Sequence, residues 1–357
     1  MILQENIPLA PMTTLKVGGP ARYFVLALTE AEVREAVAFA DSYGLPLLVM
    51  GAGSNLLISD SGWPGLALKV AIRGTIKDVR TRTTNFSVGA GEPWDSVVAH
   101  AVQENCGGIE CLSGIPGTVG GTPVQNVGAY GQEVAETIAY VRVLELSSGQ
   151  TRDLTNSECG FSYRNSVFNG SHRGRYVVLK VAYQLFNSGR PRIEYTDLKK
   201  RFAGAAPTPT LHQVRDAVIE IRRGKAMVID DNNPDCLSAG SFFKNPVVTP
   251  VEALRVQTLA EQRVPGSEMP RYRAEHHAVK LSAAWLVEQS GFHKGYALGN
   301  AGISAKHSLA IINRNPGATT AQDIVALKDQ IERKVFDLWG VQLHMEPMMV
   351  GFSGSIE

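Results

Sequence analysis

CGGIECLSGIPGTVGGTPVQNVGAYG, residues 106–131, carries eight glycines in 26 positions and a single charge, Glu110. It has no collagen-like period and too many large apolar residues for a flexible linker. Glycines free to take positive φ, mixed with Ser, Thr, Gln and Asn, let a backbone approach a large ligand that is part polyphosphate and part aromatic. The alternative is a conformationally demanding structural loop. A second loop, GAGSN (51–55), lies between the apolar runs PLLVM (46–50) and LLI (56–58). A dinucleotide fingerprint would need glycine at position 56, which is Leu56, and no helical pattern follows, so the spacing does not fit a Rossmann loop. Small residues here admit an anion to backbone N–H groups, with Ser54 and Asn55 adding polar side chains; a plain turn between strands is the rival reading. Two such loops in one half of the chain favour a ligand.

Working outward, Thr29 and Glu32 form a capping-box signature ahead of Val33, Ala36, Val37 and Ala40 at helical spacing, and Gly44 closes that helix. Trp94, Val97, Val98 and Ala101 share one face of a helix over 94–104. IAYVRVLEL (138–146) and YVVLKVAYQLF (176–186) read as strands. Breaker-rich NSGRPR and AGAAPTPT flank IEYTDLKKRF and predict a domain boundary over 187–210. Beyond it, HQVRDAVIEIRRGK (212–225), LSAAWLVEQSG (281–291) and 320–339 read as helices, SLAIIN (308–313) and VQLHMEP (341–347) as strands, the last stopped by Pro347. Strands and helices mix without a regular βαβ rhythm. The fold class is α+β.

Composition narrows the function. The 357 residues suggest two or three domains at roughly 150 residues each. Net charge is 35 − 34, or +1, which gives no reason to expect nucleic acid or an anionic membrane. No apolar stretch is long enough to span a bilayer, and the N-terminal residues lack the character of a secretory signal. Cys106, Cys111, Cys159 and Cys236 make no disulfide framework or zinc motif, so no metal is expected and a cytoplasmic location is. Three polar residues sit in unusual settings: Arg164 within FSYRNSVF, Ser241 within SAGSFFKNP, and Glu346 ahead of Pro347. Arg suits a carboxylate or phosphate through its planar fork. Taken singly, each also reads as a surface ion pair, a turn residue or a solvated strand end.

Together, TTLKVGGPARYF, GAGSNLL, SGIPGTVGGTPVQNVGAYG, FSYRNSVF, GSFFKNP and MEP resemble, in order and spacing, the UDP-N-acetylenolpyruvoylglucosamine reductase family. The resemblance runs from about residue 8 to about residue 352. The tyrosine of IEYTDLKKRF is similar to the tyrosine-loop element of that family's type I branch. The resemblance implies a two-part FAD-binding region of the vanillyl-alcohol-oxidase type plus a C-terminal α+β substrate domain. Expected bounds are 1–75 and 76–205 for the flavin-binding subdomains, 206–340 for the substrate domain, and 341–357 for a C-terminal strand bringing Glu346 back to the active site. It implies Arg164, Ser241 as proton donor and Glu346 as catalytic residues. Tyr195, Lys225 and Asn245 would bind substrate, Tyr195 closing over a UDP diphosphate; the family's Leu-Pro after the lysine is Ala226-Met227 here. Gly51, Ala52, Gly53, Ser54 and Asn55 would hold FAD, with Ser113, Pro116, Gly117, Gly120, Gly121, Thr122, Asn126, Gly128, Ala129 and Tyr130. FAD would be non-covalent, NADPH the co-substrate, and the substrate UDP-N-acetylglucosamine enolpyruvate, reduced for bacterial peptidoglycan synthesis. A monomer is expected. Rival classes are a flavin oxidase of the same cofactor fold and a flavin- or nucleotide-sugar-binding module without turnover.

Overall fold

The computed structural model describes residues 1–187, 189–204, 207–266, 268–274 and 277–352. Parts of both breaker-rich flanks of Tyr195 (positions 188, 205 and 206), and 353–357 of the C-terminal segment, lie outside the described residues. The chain forms two compact units: Met1–Ile7, Ala21–Gly53 and Trp63–Ile229 in the first, and Pro8–Pro20, Ser54–Gly62 and Asp230 onward in the second.

The first unit holds two sheets. One runs β1 (Leu3–Pro8), β2 (Pro20–Ala27), β5 (Trp63–Val70), β3 (Leu47–Met50), with β5 parallel to both β2 and β3. Helix α1 (Glu30–Ser42) starts with the full Thr29–Glu32 capping box and buries Val33, Ala36 and Ala40. The other sheet is antiparallel and includes β6 (Thr75–Val79) and β7 (Thr83–Gly89). Its central strand, Tyr176–Asn187, pairs with β7 on one side and with Ile138–Glu145 on the other. β-branched and aromatic side chains dominate that strand, which suits a pleated, buried surface. Helix α2 (Trp94–Gln103) lays Trp94, Val98 and Ala101 into the core that also takes Leu66, Leu68, Phe86, Val141 and Tyr183.

Two short helices complete this unit. Helix α3 (Thr196–Arg201) follows Tyr195, and α4 (Leu211–Gly224) opens on a Thr210–Gln213 capping box. Val214 and Val218 of α4 pack with Cys111, Tyr130 and Leu198. The contact boundary therefore falls after Ile229, and α4 belongs to the first unit rather than to the domain expected to begin at 206. Its apolar stripe is the reason: it covers the glycine-rich loop.

In the second unit, α5 (Pro250–Arg263), α6 (Ala283–Gln289) and α7 (Ala321–Trp339) enclose a core with Phe242, Trp285, Ile311 and Trp339. Leu15, Val17 and Leu57 from early in the sequence join that core. Asp60 accepts the Ala321 and Gln322 N–H groups at 2.7 and 3.1 Å, capping α7 from far away in sequence. The strand expected over 341–347 is absent as a regular element. Val341 and Leu343 alternate inward, but Met345 makes only an isolated bridge to Phe243. The strand comes after Pro347 instead, where Met348–Val350 runs parallel to β4 (Leu56–Ile58). Proline has no N–H to give to a ladder, so it separates the bridge from the strand.

Candidate active site

The glycine-rich loop of the first unit is held by its own polar side chains. Ser113 Oγ donates to the Glu110 carbonyl at 2.6 Å, and Thr122 Oγ1 lies 2.6 Å from the Tyr183 hydroxyl. Asn126 Nδ2 donates to Glu133 at 2.7 Å and to the Ser162 carbonyl at 3.1 Å, while its Oδ1 accepts the Ala135 N–H. All three are buried. Their hydrogen-bonding groups help fix the loop's shape, together with main-chain bonds such as Val119 N–H to Glu92 O and Gly120 N–H to Ala90 O. A Cβ on Gly51 would run into Thr118 Oγ1, and one on Gly120 would sit 2.8 Å from Ala90 Cβ, so these two glycines have no room for a side chain. Gly117 takes φ 133°, which only glycine adopts without strain. Gly53 is buried, whereas Ala52 and Pro116 are half-buried and Gly121 is exposed. Gly128–Ala129 pairs with Gln132–Glu133 across a turn at Tyr130 and Gly131.

Arg164 sits in a tight turn closed by Ser162 N–H to Asn165 O and Asn165 N–H to Ser162 O. Its φ is 53°, an uncommon conformation for a side-chain-bearing residue. Its Nη2 donates to the Gly128 carbonyl at 3.0 Å, which brings Arg164 against the glycine-rich loop. Tyr195 stands at the start of α3 with its ring edge-on to Tyr130 at 5.3 Å. Lys225, at the end of α4, bonds Asp197 of α3 at 3.1 Å and lies 5.9 Å from the Tyr130 ring centroid. Tyr130, Tyr195 and Lys225 thus form one cluster. Helix α4 ends in a Schellman pattern, with Ala226 N–H to Arg223 O and Met227 N–H to Arg222 O, and Ala226 at φ 53°.

Sequence reasoning missed three charged residues beside this cluster. Asp95 in α2 receives both Arg215 Nη atoms, at 2.6 and 2.8 Å, and the Gly114 N–H at 2.6 Å. Burial alone would raise the Asp95 carboxyl; Arg215 and the Gly114 amide outweigh it and hold it below its ordinary value. Arg222 is buried, and desolvation lowers its guanidinium. It donates to the Met227 carbonyl at 2.8 Å, and its Nε has no hydrogen-bond partner among the described residues. A signal was available: Val214, Val218 and Arg222 are spaced by four, so Arg222 continues the apolar stripe of α4. Burial also raises Tyr130, and it pushes the Cys111 thiol far up, making Cys111 a poor covalent anchor.

In the second unit, main-chain bonds run the segment Phe242–Lys244, which follows Ser241, alongside His344–Glu346. Phe242 N–H reaches Leu309 O at 2.7 Å, Glu346 N–H reaches Phe242 O at 2.8 Å, and Lys244 N–H reaches His344 O at 2.9 Å. Asn55 brackets Pro347: its Nδ2 donates to Glu346 O at 3.2 Å, and its carbonyl accepts the Met348 N–H at 2.9 Å. Ser54 O accepts from Thr14 Oγ1 at 3.4 Å. Ser241 and Glu346 are both half-buried. Asn245 Oδ1 accepts the Ala283 N–H at 3.0 Å, at the start of α6. Among the described residues no three His, Cys, Asp or Glu side chains gather as metal ligands would, and no helix is long and apolar enough to cross a membrane.

Residues 232–350 match the UDP-N-acetylenolpyruvoylglucosamine reductase C-terminal domain, and residues 21–155 match an FAD binding domain. The UDP-N-acetylenolpyruvoylglucosamine reductase of Thermobifida fusca is 44% identical over 97% of this chain and 98% of its own length. That of Streptomyces coelicolor is 43% identical over 97% and 90%. The crystal structure of the UDP-N-acetylenolpyruvylglucosamine reductase from Thermus caldophilus superposes with a TM-score of 0.65 at 25% identity, covering 98% of this chain and all of that one.

Proposed function

The chain belongs to the UDP-N-acetylenolpyruvoylglucosamine reductase family, and from that premise we propose that it reduces UDP-N-acetylglucosamine enolpyruvate to UDP-N-acetylmuramate with bound FAD. NADPH is the reductant, and the product serves peptidoglycan precursor synthesis. FAD fits the first unit: the Gly51 and Gly120 positions exclude side chains, the loop's polar groups are spent on its own shape, and buried Arg222 adds a cation with an unused Nε. Gly51 to Asn55 and the 113–131 loop would hold it without a covalent bond. When bound, FAD supplies the redox chemistry.

The protein's own residues supply position and field. An enolpyruvyl ether is electron-rich and resists hydride addition at its terminal carbon. Addition becomes feasible when the neighbouring carboxylate takes up the developing charge as an enediolate. Arg164 stabilises that charge most in the transition state, where it lowers the barrier. Ser241 holds the proton that the second carbon receives. Glu346, as a carboxylate, would repel the developing anion; it serves by being protonated or by orienting a donor. Tyr195 and Lys225 bind the UDP diphosphate, with Asn245 on the sugar nucleotide. The observation that supports reading Ser241 and Glu346 together is the 2.8 Å main-chain bond from Glu346 N–H to Phe242 O, which sets Glu346 opposite the residue that follows Ser241.

A division of the flavin-binding half near residue 75 has support in the two sheets, whose strands lie within 3–70 and 75–187, but residues 8–20 and 54–62 of the expected 1–75 group with the second unit. The rest of the reading is a monomeric, cytoplasmic enzyme of the type I branch. NADPH oxidation measured with and without UDP-N-acetylglucosamine enolpyruvate tests the function. Consumption coupled one-to-one to UDP-N-acetylmuramate, with slow oxidation in air alone, is expected. Fast oxygen consumption with an alcohol substrate would establish the oxidase class instead.

A further inference from the structure

Glu110, the only charge between residues 106 and 131, is completely buried, and no step of the reaction uses it. Its Oε2 accepts the Gly108 N–H at 2.7 Å. Its Oε1 accepts Gln132 Nε2 at 2.8 Å and the Arg192 N–H at 3.0 Å. Gln132 in turn accepts the Cys111 N–H at 2.8 Å, and Cys111 Sγ donates to the Arg192 carbonyl at 3.4 Å. One buried node therefore holds the entrance of the glycine-rich loop, the hairpin after Tyr130, and the segment that leads three residues later into Tyr195.

A buried carboxylate is costly unless its oxygens are well supplied with donors. Loop packing alone would be met by an apolar side chain. What a carboxylate offers, and no neutral amide does, is acceptors on both oxygens and no donor. Three N–H groups from three segments require that.

We infer that Glu110 is a positioning residue that couples the flavin loop to Tyr195, so that a loop ordered by FAD presets the tyrosine over the UDP diphosphate. The inference rests on the reading that 113–131 meets FAD and Tyr195 meets substrate.

Exchanging the two side chains, Glu110→Gln with Gln132→Glu, isolates the link. The new amide at 110 can still accept from Gly108 and donate to the new carboxylate at 132, which still accepts from Cys111. Only the Arg192 N–H then faces a donor. Calorimetric titration of the oxidised holoenzyme with UDP-N-acetylglucosamine enolpyruvate should show about tenfold weaker binding, the scale of one lost hydrogen bond. FAD affinity should change less than about threefold, because the loop keeps its own bonds. In a Tyr195→Ala background the exchange should add nothing, since residues acting through one another are not additive. Unchanged substrate affinity on exchange, or the same loss with and without Tyr195, overturns the inference while leaving the Tyr195 reading intact. Tyr195→Ala binding substrate normally overturns both. If the exchanged protein does not fold, hydrogen exchange on the unaltered chain decides. FAD loading should slow the Arg192, Gly108 and Cys111 amides by the same factor; an Arg192 amide indifferent to FAD refutes the coupling.

Discussion

The glycine-rich loop and the Ser241–Glu346 region differ in how much of their anchoring comes from side chains. In the first unit, side chains bind backbone: buried Ser113 and Asn126 and half-exposed Asp95 each tie down main-chain atoms of the loop or its neighbours. In the second, main chain mostly binds main chain, from Phe242 to Leu309, from Glu346 to Phe242, and from Met348 to Asn55, with Asn55 Nδ2 adding a side-chain bond to Glu346 O. The loop adds these side-chain bonds to main-chain ones, among them Val119 N–H to Glu92 O and Gly120 N–H to Ala90 O. A site whose side chains must meet substrate is better held by backbone. One region is then fragile to side-chain truncation, and the other tolerates truncation structurally while losing chemistry.

The largest expected effect tests the second region. Ser241→Ala should melt within about 2 °C of the parent, as a substitution with no structural role does, and bind FAD normally. Its turnover should fall by roughly 10²–10⁴, the loss typical of a missing general acid. Stopped-flow measurement should find NADPH still bleaching the bound FAD at near the parent rate, and the enolpyruvyl substrate failing to restore its colour. Normal turnover, or an equal loss in both half-reactions, breaks the comparison.

In the first region, Asn126→Ala should cost about 3 kcal/mol in urea unfolding, since it leaves the Ala135 N–H, the Ser162 carbonyl and Glu133 without their partner. A smaller penalty falls on Asp95→Asn, whose site is partly open to water. Because the folded carboxyl titrates below its unfolded value, the ion pair stabilises above the unfolded pKa and is lost as pH falls through the folded one. The Tm difference between parent and variant should be full at pH 7 and close as pH drops below the carboxylate range; a gap that stays constant to low pH would refute the clamp. Smallest is Ala226→Gly. A residue at φ 53° at the end of α4 is one that glycine occupies more easily, so stability should rise by about 0.5–1 kcal/mol with loop function unchanged.

How much was legible follows the same division. The Thr29–Glu32 box, the α2 face and the stripe of α4 are local patterns, and the elements formed where those patterns lie. The glycine loops and Arg164 stood out because their composition is odd for their setting. Asp95 and Arg215 did not, because a carboxylate in one helix and a guanidinium in another look like ordinary surface charges until the fold joins them. VQLHMEP misled for a related reason. Its alternation was genuine, but a strand also needs a partner with a matching run of free N–H and C=O groups, and only one bridge was available. Nothing local marks residues 8–20 and 54–62 as belonging with the C-terminal half; Leu15 and Leu57 read as apolar residues of any core.

That last arrangement has a bearing on synthesis. The chain passes between units at Ile7–Pro8, Pro20–Ala21, Gly53–Ser54, Gly62–Trp63 and Ile229–Asp230, five times in all. On the ribosome, the first unit can complete once residue 229 has emerged, but Leu15, Val17 and Leu57 must then wait for the C-terminal helices that cover them. At about 5–20 residues per second, the last 128 residues keep those side chains uncovered for seconds, long enough for chaperone capture or aggregation to compete. A ribosome stalled near residue 230 would present a finished flavin-binding half with two apolar stitches hanging loose, and expression of residues 230–357 alone would lack the pieces its core needs.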